Sequence, residues 1–414
     1  MTLIQLDKSN IQSYLKDRMP DMDFSKPLII SAIGEGSEEE DGDGFLNYIF
    51  RVSDGRKKLV LKQSRSAGHK GGFTGLPEGR VVQEYETMAF RKAIVPEYIP
   101  DLYFCDSENN IIAEEDVSHL SILRFQLMKN VTFPKFAHQI ADYMAKTLFY
   151  TSEYYMDAQT FREMTVHFIN PIMRTIFEYT EFITQDRPDQ DFALPIDDKY
   201  MAMARKTILD PRVVRERYKL KHIYDTHGEA FLHTDLHTSN ILMDQREMKV
   251  IDMEYTFCGP LALDVGKVEA SMLAQYVSAA FRPFPNEAER KQFRDYCLDT
   301  MVDVFNEFCQ IFFACWDQSA KRQYQGVPGL KDDVRADLLK DTIGFTGTCN
   351  IARVASKFLF PEYAVITDAK AYEQMTFLSL ILDQITLLNR AGYRNIEEWV
   401  SEIKRISDKF LATV

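Results

Sequence analysis

The sequence lacks two features, a long apolar run and an excess of basic residues. A transmembrane helix needs about 18 apolar residues in a row, and the most apolar stretches, from Phe377 and from Cys309, are shorter or interrupted by polar residues. Acidic residues (62) outnumber basic residues (49), which gives a formal net charge of −13. Binding nucleic-acid phosphates requires many Lys and Arg. We therefore expect neither a membrane protein nor a nucleic-acid partner.

Cysteine, glycine and proline are also scarce. The six cysteines include no pair at C-x-x-C spacing, which favours free thiols in a reducing compartment. The first ten residues lack the basic segment and apolar run of a secretory signal, so we expect a cytoplasmic location. With 18 Gly and 15 Pro in 414 residues, low complexity is excluded, and an apolar fraction of 45% is enough for a globular core.

The first 115 residues contain short β-favourable runs separated by turn-forming clusters. We predict strands at 27–33, 45–52, 58–62 and 110–114. The Gly-rich segments 34–44 and 67–79 are predicted to be loops. Residues 80–95 carry apolar side chains at helical spacing and are predicted to form a helix.

After about residue 118 the apolar spacing is mostly helical. Helices are predicted at 136–150, 157–184, 263–280, 287–316, 369–388 and 396–411. Between 228 and 257, short apolar strands alternate with polar loops that carry His and Asp. A small β-rich part, a larger helical part and a hairpin bearing His and Asp together outline a kinase fold.

The strongest chemical signal is H-T-D-L-H-T-S-N at 233–240, followed by I-D-M-E at 251–254. Phosphoryl transfer requires a group that orients the acceptor hydroxyl and oxygen ligands for magnesium beside the phosphates. Asp235 and Asn240 would supply a base and a metal ligand on one loop, and Asp252 follows a short apolar strand. Because Mg²⁺ prefers oxygen donors, we predict that Asn240 and Asp252 share the ion with ATP.

Two other interpretations of this segment are weaker. Asp235 and Asp252 could be ordinary loop carboxylates, but the joint spacing with Asn240 is more specific than any single Asp. His233 and His237 have the H-x-x-x-H spacing of some zinc sites. The segment is loop-like and lacks the Glu of H-E-x-x-H, so we expect both histidines to orient the loop backbone.

Lys62 ends the predicted strand L-V-L-K and precedes an acidic helix. A Lys at this place can reach the phosphates of ATP, and a Glu on the helix can hold it in position. Glu84 is the predicted partner, and Glu86, two residues further, is the alternative. A Lys at a strand end is often only solvent-exposed, but the His233–Asn240 segment favours the functional interpretation.

Several segments together resemble the methylthioribose kinase family, in the aminoglycoside-phosphotransferase branch of the protein-kinase-like superfamily. They are D-G-F-L-N-Y-I-F (43–50), L-V-L-K-Q (59–63), E-E-D-V-S-H-L (114–120), A-K-T-L-F-Y-T-S (145–152), F-I-N-P (168–171), H-T-D-L-H-T (233–238) and V-I-D-M-E-Y-T-F-C-G-P (250–260). D-x-E in place of the kinase D-F-G, and the long match at 145–152, are specific to that family.

The resemblance implies a role for each matching position. Asn47 and Lys62 would contact ATP, and the backbone of Glu115, Asp116 and Val117 would form a hinge that receives adenine. Asp235 would be the catalytic base, with Asp252 and Glu254 at the metal and phosphates. Asp264 would support the catalytic loop. The resemblance also implies transfer to the anomeric oxygen of a sugar, which gives the 1-phosphate.

This sequence departs from the family pattern at three places. The family usually has H-G-D-L-H-T-G-S, where this chain has Thr234, Ser239 and Asn240. Two adjacent arginines of the family correspond to Ala352 and Arg353, so a single arginine is left to contact the acceptor sugar. Phe73 stands in the region where the family tends to place a Trp that caps the substrate.

We predict a two-lobed α+β protein-kinase-like fold, with an ATP-binding lobe at 1–112, a hinge at 113–118 and a mainly helical lobe at 119–414. The expected reaction is ATP- and Mg²⁺-dependent phosphorylation of a small sugar-like acceptor, with the C1 oxygen of 5-methylthioribose or a related 5-substituted ribose favoured. The alternatives are an aminoglycoside, choline or homoserine-like acceptor, or a pseudokinase that binds nucleotide without chemistry. A protein kinase is disfavoured because no A-P-E segment follows D-M-E. A homodimer is left open.

Overall fold

The structure is a computed structural model that describes residues 4–34, 46–68, 74–184, 198–354 and 360–413. Most of the predicted loop at 34–44, and Phe73, lie outside the described residues. The chain divides into two compact units. Unit 1 comprises Met1–Phe125, Asn170–Met173 and Thr238–Thr256, and unit 2 comprises Gln126–Ile169, Arg174–His237 and Phe257–Val414. The lobe boundaries predicted at residues 112 and 118 stay a prediction.

Unit 1 is built on an antiparallel sheet of five described strands in the order β1-β2-β3-β5-β4. Its strands are β1 Ile29–Ala32, β2 Tyr48–Ser53, β3 Lys58–Gln63, β4 Leu102–Asp106 and β5 Ile111–Glu115. Phe50, Val52, Leu59 and Leu61 alternate along β2 and β3 and form the core of the unit with the helix Ile11–Lys16. The four predicted strands are present, with ends displaced by up to three residues. Strand β4 was missed because its residues are all half-buried, so the run L-Y-F-C-D shows no alternation.

The helix Arg80–Ile94 packs against the sheet of unit 1. Its buried residues include Val81, Glu84 and Met88, which recur at helical spacing on one face. Glu84 therefore faces the interior although it is charged. Lys62 lies on β3 opposite Ile112 of β5 and is also buried. These two elements bring a buried cation and a buried carboxylate into one small volume.

A second, smaller sheet in unit 1 carries the polar loops of Asn240 and Asp252. It consists of β6 Ser121–Ile122, β8 Ile241–Met243 and β9 Met248–Val250, in the order β6-β8-β9. Asn240 ends a 3₁₀ turn immediately before β8, and Asp252 comes two residues after β9. The backbone N–H of Ile251 donates to the carbonyl of Asn240 at 3.0 Å. The hairpin therefore holds the start of one polar loop beside the end of the other.

The described part of unit 2 is mainly helical, as the α+β prediction requires, and includes the short strand pair β7 Ala230–Phe231 and β10 Cys258–Gly259. From residue 123 onward the helices are Leu123–Met128, Phe136–Tyr150, Ala158–His167, Pro171–Glu178, Asp198–Ile208, Pro211–Thr226, Ala262–Ala279, Glu287–Ser319, Leu330–Val354, Pro361–Ala364, Ala369–Asn389 and Ile396–Leu411. Short helical turns occur at Pro96–Tyr98 (3₁₀) in unit 1 and at Tyr179–Ile183 (π) in unit 2. In the described ranges, no helix combines the length and apolarity needed to cross a bilayer.

The helix Ala262–Ala279 is buried along its whole length and packs closely on Leu330–Val354. A Cβ atom on Gly266 would lie 2.7 Å from the Cβ of Phe345 and 3.1 Å from the carbonyl oxygen of Thr342. Only glycine allows the two backbones to approach this closely. This approach matters because Lys267 and Arg353 lie on these two helices.

The single helix predicted at 157–184 is wrong. The segment breaks into Ala158–His167, Pro171–Glu178 and the π turn Tyr179–Ile183. Proline disfavours the helical region for the residue before it, and Asn170 takes a left-handed φ of +42°. Its side-chain amide donates to the carbonyls of Glu254 (2.8 Å) and Thr256 (3.1 Å). The break therefore lets Asn170 fix the loop that follows Asp252.

Candidate active site

Lys62 is the cation of a buried cluster in unit 1. Its Nζ donates to Glu84 Oε1 at 2.7 Å and also contacts Asp252 Oδ1, while its side chain is only 5% exposed. The pair predicted between Lys62 and Glu84 is therefore present. Burial alone would lower the pKa of Lys62, but the carboxylates of Asp252 and Glu84 outweigh it and hold that pKa well above its usual value. Lys62 stays charged at neutral pH.

Glu254 is a third carboxylate acceptor in this cluster, beside Glu84 and Asp252. It accepts from Asn47 Nδ2 at 2.9 Å and from the buried guanidinium of Arg80 at 3.1 Å. Arg80 also donates to the carbonyls of Leu46 and Arg65, so it ties the β2 and β3 ends to the loop of Glu254. Asn47 and Glu254, which the resemblance implies for nucleotide binding, are thus direct neighbours. Arg80 was not predicted.

The cluster has more carboxylates than cations. Glu84, Glu114, Asp252 and Glu254 all act on the charge of Lys62, and Arg80 is the second cation. Burial raises the pKa of Glu84, Glu114 and Glu254 to about 7 each. When all four are ionised, the local charge is 2 − 4 = −2. A bound divalent cation would neutralise this excess.

The donors of this cluster suit magnesium. Glu84, Asp252 and Glu254 each offer a carboxylate oxygen, and the three oxygens lie within 4.8 Å of one another. Asn47 Oδ1 and Glu84 Oε2 are buried and accept no hydrogen bond among the described residues. Oxygen donors with unused lone pairs are the ligands that Mg²⁺ takes in proteins. The three carboxylates therefore fit such an ion, and Asp252 is one of the two ligands predicted from the sequence.

The predicted hinge at 113–118 overlaps the end of β5. Glu115 ends that strand, and its carboxylate accepts from the backbone N–H of Asp101 at 3.0 Å. Asp116 Oδ1 accepts from the backbone of Ser118 at 2.9 Å, which makes a tight turn. Val117 is buried in a small core with Leu120 and Leu242. The side chains of Glu115, Asp116 and Val117 thus hold the segment in place, and adenine binding by its backbone stays a prediction.

Asp235 belongs to unit 2, because the border between the units falls between His237 and Thr238. Its Oδ2 lies 3.3 Å from His237 Nε2, and its Oδ1 lies 3.5 Å from Nζ of the buried Lys267. Although burial opposes ionisation, His237, Lys267 and Arg353 together lower the pKa of Asp235 well below its ordinary value. The Asp235 carboxylate is therefore ionised at neutral pH. No role was predicted for Lys267.

The backbone of the Asp235 loop is held by Asp264. The carboxylate of Asp264 accepts from the backbone N–H of His233 and of Thr234, both at 2.7 Å. This is the supporting role that the resemblance implies for Asp264. Thr234 adopts φ of +73° and Asp252 φ of +67°, in the left-handed region that β-branched residues rarely enter. The glycine that the family has at the position of Thr234 would adopt this conformation without strain.

Arg353 lies on the helix Leu330–Val354, and its side chain is 20% exposed. Its Nη2 donates to Glu181 Oε1 at 3.0 Å, and the same oxygen accepts from Lys267 at 2.9 Å. The charge of Arg353 also lowers the pKa of Asp235. Arg353 is thus near enough to influence the predicted base, and Glu181 is its partner.

Arg80, Glu114, Glu181 and Lys267 belong to these clusters but were missed. Only Lys267 had a usable signal, because it follows Asp264 by three residues and therefore lies on the same helix face. Glu181 lies in a π turn that the predicted long helix obscured, and it lies 86 residues before Lys267. Nothing in their local sequence distinguishes the other two from surface charges.

Comparison with known proteins identifies the family. Residues 185–301 match the phosphotransferase enzyme family. The chain is 31% identical over 333 residues to methylthioribose kinase of Exiguobacterium sibiricum, spanning 80% of this chain and 82% of that protein. It is 32% identical over 330 residues to methylthioribose kinase of Geobacillus thermodenitrificans, spanning 76% and 77%.

The fold is similar to that of solved small-molecule kinases. A choline kinase of Cryptosporidium parvum Iowa II gives a TM-score of 0.52 at 15% identity, covering 95% of this chain and all of that one. A glucosamine kinase in complex with glucosamine, ADP and inorganic phosphate also gives 0.52, at 13% identity, covering 91% and 83%. These similarities confirm the predicted protein-kinase-like α+β fold. By its sequence and its fold, the chain belongs to the methylthioribose kinase family and is a small-molecule phosphotransferase.

Proposed function

We propose that this protein transfers the γ-phosphoryl group of ATP to the C1 oxygen of 5-methylthioribose or a related 5-substituted ribose. The observation that carries the proposal is the buried contact of Lys62 with both Glu84 and Asp252. A charged Lys held between a helix Glu and a loop Asp is the arrangement that positions ATP phosphates and magnesium in kinases. The choice of sugar rests on the relatives, which are methylthioribose kinases.

The residues of unit 1 would bind the nucleotide. Lys62 would neutralise the phosphates, and the backbone of Glu115, Asp116 and Val117 would receive adenine. Asn240 and Asp252 would hold Mg²⁺, with Asn47 and Glu254 beside the phosphates. The bound ion would neutralise negative charge on the phosphoryl group during transfer.

Asp235 would orient the acceptor hydroxyl and accept its proton. The transition state of phosphoryl transfer is loose, so the attacking oxygen needs alignment more than a strong base. A carboxylate with a depressed pKa is a weak base, but it is always ionised and can always accept the hydroxyl hydrogen bond. This ionisation supports the assignment of Asp235.

The proposal is tested by assaying ADP release with Mg-ATP and a panel of acceptors. The panel contains 5-methylthioribose, 5-deoxyribose, ribose, choline, homoserine and an aminoglycoside, with Asp235→Asn as the catalytic control. We expect the 5-substituted riboses to give the highest kcat/KM and ³¹P NMR to show a 1-phosphate. Faster turnover of choline, homoserine or the aminoglycoside would contradict the proposed acceptor, and no turnover of any acceptor would contradict the activity.

Arg353 would bind the acceptor sugar. Replacing it with Met should raise the acceptor KM by about ten- to a hundredfold, because a charged hydrogen bond contributes about 1.5–3 kcal/mol, and the ATP KM should change little. Arg322→Met, at an exposed position of the same unit, is the matched control. Equal effects on both KM values would contradict this role.

We also propose a cytoplasmic location and leave open a homodimer. Fluorescent tagging in cells and size-exclusion chromatography with light scattering test these two points separately.

A further inference from the structure

Lys267 is a buried lysine whose charge has more than one partner. Its side chain is 3% exposed, and its Nζ lies 2.9 Å from Glu181 Oε1 and 3.5 Å from Asp235 Oδ1. The same Nζ lies 4.7 Å from the centre of the Phe177 ring. One ammonium group thus faces both the predicted base and a second carboxylate.

Glu181 is more deeply buried than either of the cations that it binds. Its side chain is 1% exposed, and its Oε1 accepts from both Lys267 and Arg353. Cys349, on the same helix as Arg353, also lies beside Glu181, and burial together with the Glu181 charge raises the pKa of its thiol. The order Asp235, Lys267, Glu181, Arg353 therefore alternates in charge and connects the predicted base to the predicted sugar ligand.

A buried ion pair is weak evidence for a purely stabilising role. Removing two charges from water costs several kcal/mol per ion, and well-packed apolar side chains often replace such a pair without loss. Here the pair is not isolated, because Lys267 also faces Asp235 and Glu181 also holds Arg353. Positioning those two residues is a function that apolar side chains could not supply.

We propose that Lys267 and Glu181 are positioning residues for phosphoryl transfer: Lys267 orients the Asp235 carboxylate, and Glu181 fixes Lys267 and Arg353 in place. The inference rests on the proposed roles of Asp235 and Arg353. Without Lys267, Asp235 Oδ1 loses its contact with the ammonium group, while His237 still lies beside Oδ2, so the carboxylate can rotate. A misplacement of about 1 Å at a reacting group can cost about 10²-fold in rate.

The kinetic test compares Lys267→Met, Glu181→Gln and the double variant with the wild type, using an acceptor that the wild type phosphorylates. Lys267→Met should lower kcat about 10²-fold. The acceptor KM should stay nearly unchanged, because the ion pair between Arg353 and Glu181 is still present and holds Arg353 in place. Glu181→Gln should raise the acceptor KM as well. Lys146→Met, which removes the 2.8 Å pair of Lys146 with Asp142 in the same unit, is the matched control and should keep wild-type kinetics.

The double variant separates positioning from stability. Lys267→Met alone leaves a buried carboxylate short of one cation and should lower the melting temperature. Adding Glu181→Gln removes that charge, so the double variant should regain most of the melting temperature while its kcat stays about 10²-fold low. If the double variant recovered both its melting temperature and its kcat, Lys267 and Glu181 would contribute to stability alone, and the proposal would be overturned.

A second measurement needs no acceptor. The Asp235 carboxyl can be titrated by ¹³C NMR of aspartate-labelled protein, with Asp235→Asn to assign the signal. The groups facing Asp235 are His237 on its own loop, Lys267 on the helix Ala262–Ala279 and Arg353 on the helix Leu330–Val354, with Glu181 and Cys349 behind Lys267. Lys267→Met should raise the pKa of Asp235, and an unchanged pKa would overturn the proposal. If the wild type phosphorylates no acceptor, the proposed function fails and this titration still decides the inference.

Discussion

Replacing Thr234 with Gly should stabilise unit 2 without loss of activity. Thr234 has φ of +73°, where its Cβ is crowded, and its buried hydroxyl oxygen has no hydrogen-bond partner among the described residues. Thr234 contributes to holding the loop through its backbone, because its N–H donates to Asp264 Oδ1 at 2.7 Å. Glycine keeps that N–H and removes the crowded Cβ.

The size of the effect follows from two opposing contributions. Left-handed backbone costs an L-residue about 1–2 kcal/mol, which Gly avoids. Gly also makes the unfolded chain more flexible, which costs about 0.4–1 kcal/mol. The midpoints of these two ranges give an expected net gain of about 0.8 kcal/mol in the free energy of unfolding. Thr234→Ala is the matched control, because it removes the unpaired hydroxyl and keeps the Cβ.

Tryptophan fluorescence during urea unfolding is a specific assay for this change. Both tryptophans, Trp316 and Trp399, are buried in unit 2, which also contains Thr234. The unfolding midpoint should rise for Thr234→Gly relative to Thr234→Ala, with the slope unchanged. If Thr234→Gly is no more stable than Thr234→Ala, backbone strain at this position does not contribute to the stability of the folded protein.

Three further predictions concern the proposed chemistry. Asp235→Asn should lower kcat by about 10²–10⁴-fold and leave ADP affinity by calorimetry unchanged; near-native kcat would exclude Asp235 as the base. Asp252→Ala should raise the Mg²⁺ concentration needed for half-maximal activity steeply, and Asn240→Ala more mildly, because water can replace a neutral ligand; identical Mg²⁺ titrations would exclude the site. The pKa values of Glu84 and Glu254 are raised from 4.5 to about 7 in the folded state, so both carboxyls bind a proton more tightly in the folded than in the unfolded protein. Without metal, the free energy of unfolding should therefore fall as the pH rises from about 4.5 to about 7. The gain in melting temperature on adding Mg²⁺ should grow over the same range, since the ion needs ionised carboxylates, and a pH-independent gain would contradict this.

Local patterns in the amino-acid sequence were enough to predict the features that depend on short stretches of chain. The spacing of Asp235, Asn240 and Asp252 singles out these three residues, and Asn240 and Asp252 flank the local hairpin of β8 and β9. Glu84 was predicted ahead of Glu86 as the partner of Lys62, and the structure buries Glu84 on the inward face of its helix in contact with Lys62. The α+β fold and the family followed from such patterns and from the quoted motifs.

Which distant charges share a buried volume depends on how the helices and strands pack in three dimensions. Glu181 meets Lys267 and Arg353 across 86 and 172 residues of sequence, and Arg80 meets Glu254 across 174. These contacts depend on how closely helices pack, as at Gly266 against Phe345. They also depend on a helix break at Asn170, which the apolar periodicity of the sequence does not reveal. A charged residue on a helix has the same local signature whether it ends in solvent or in the core. Its role depends on burial and on its partners, both of which arise only when the elements pack.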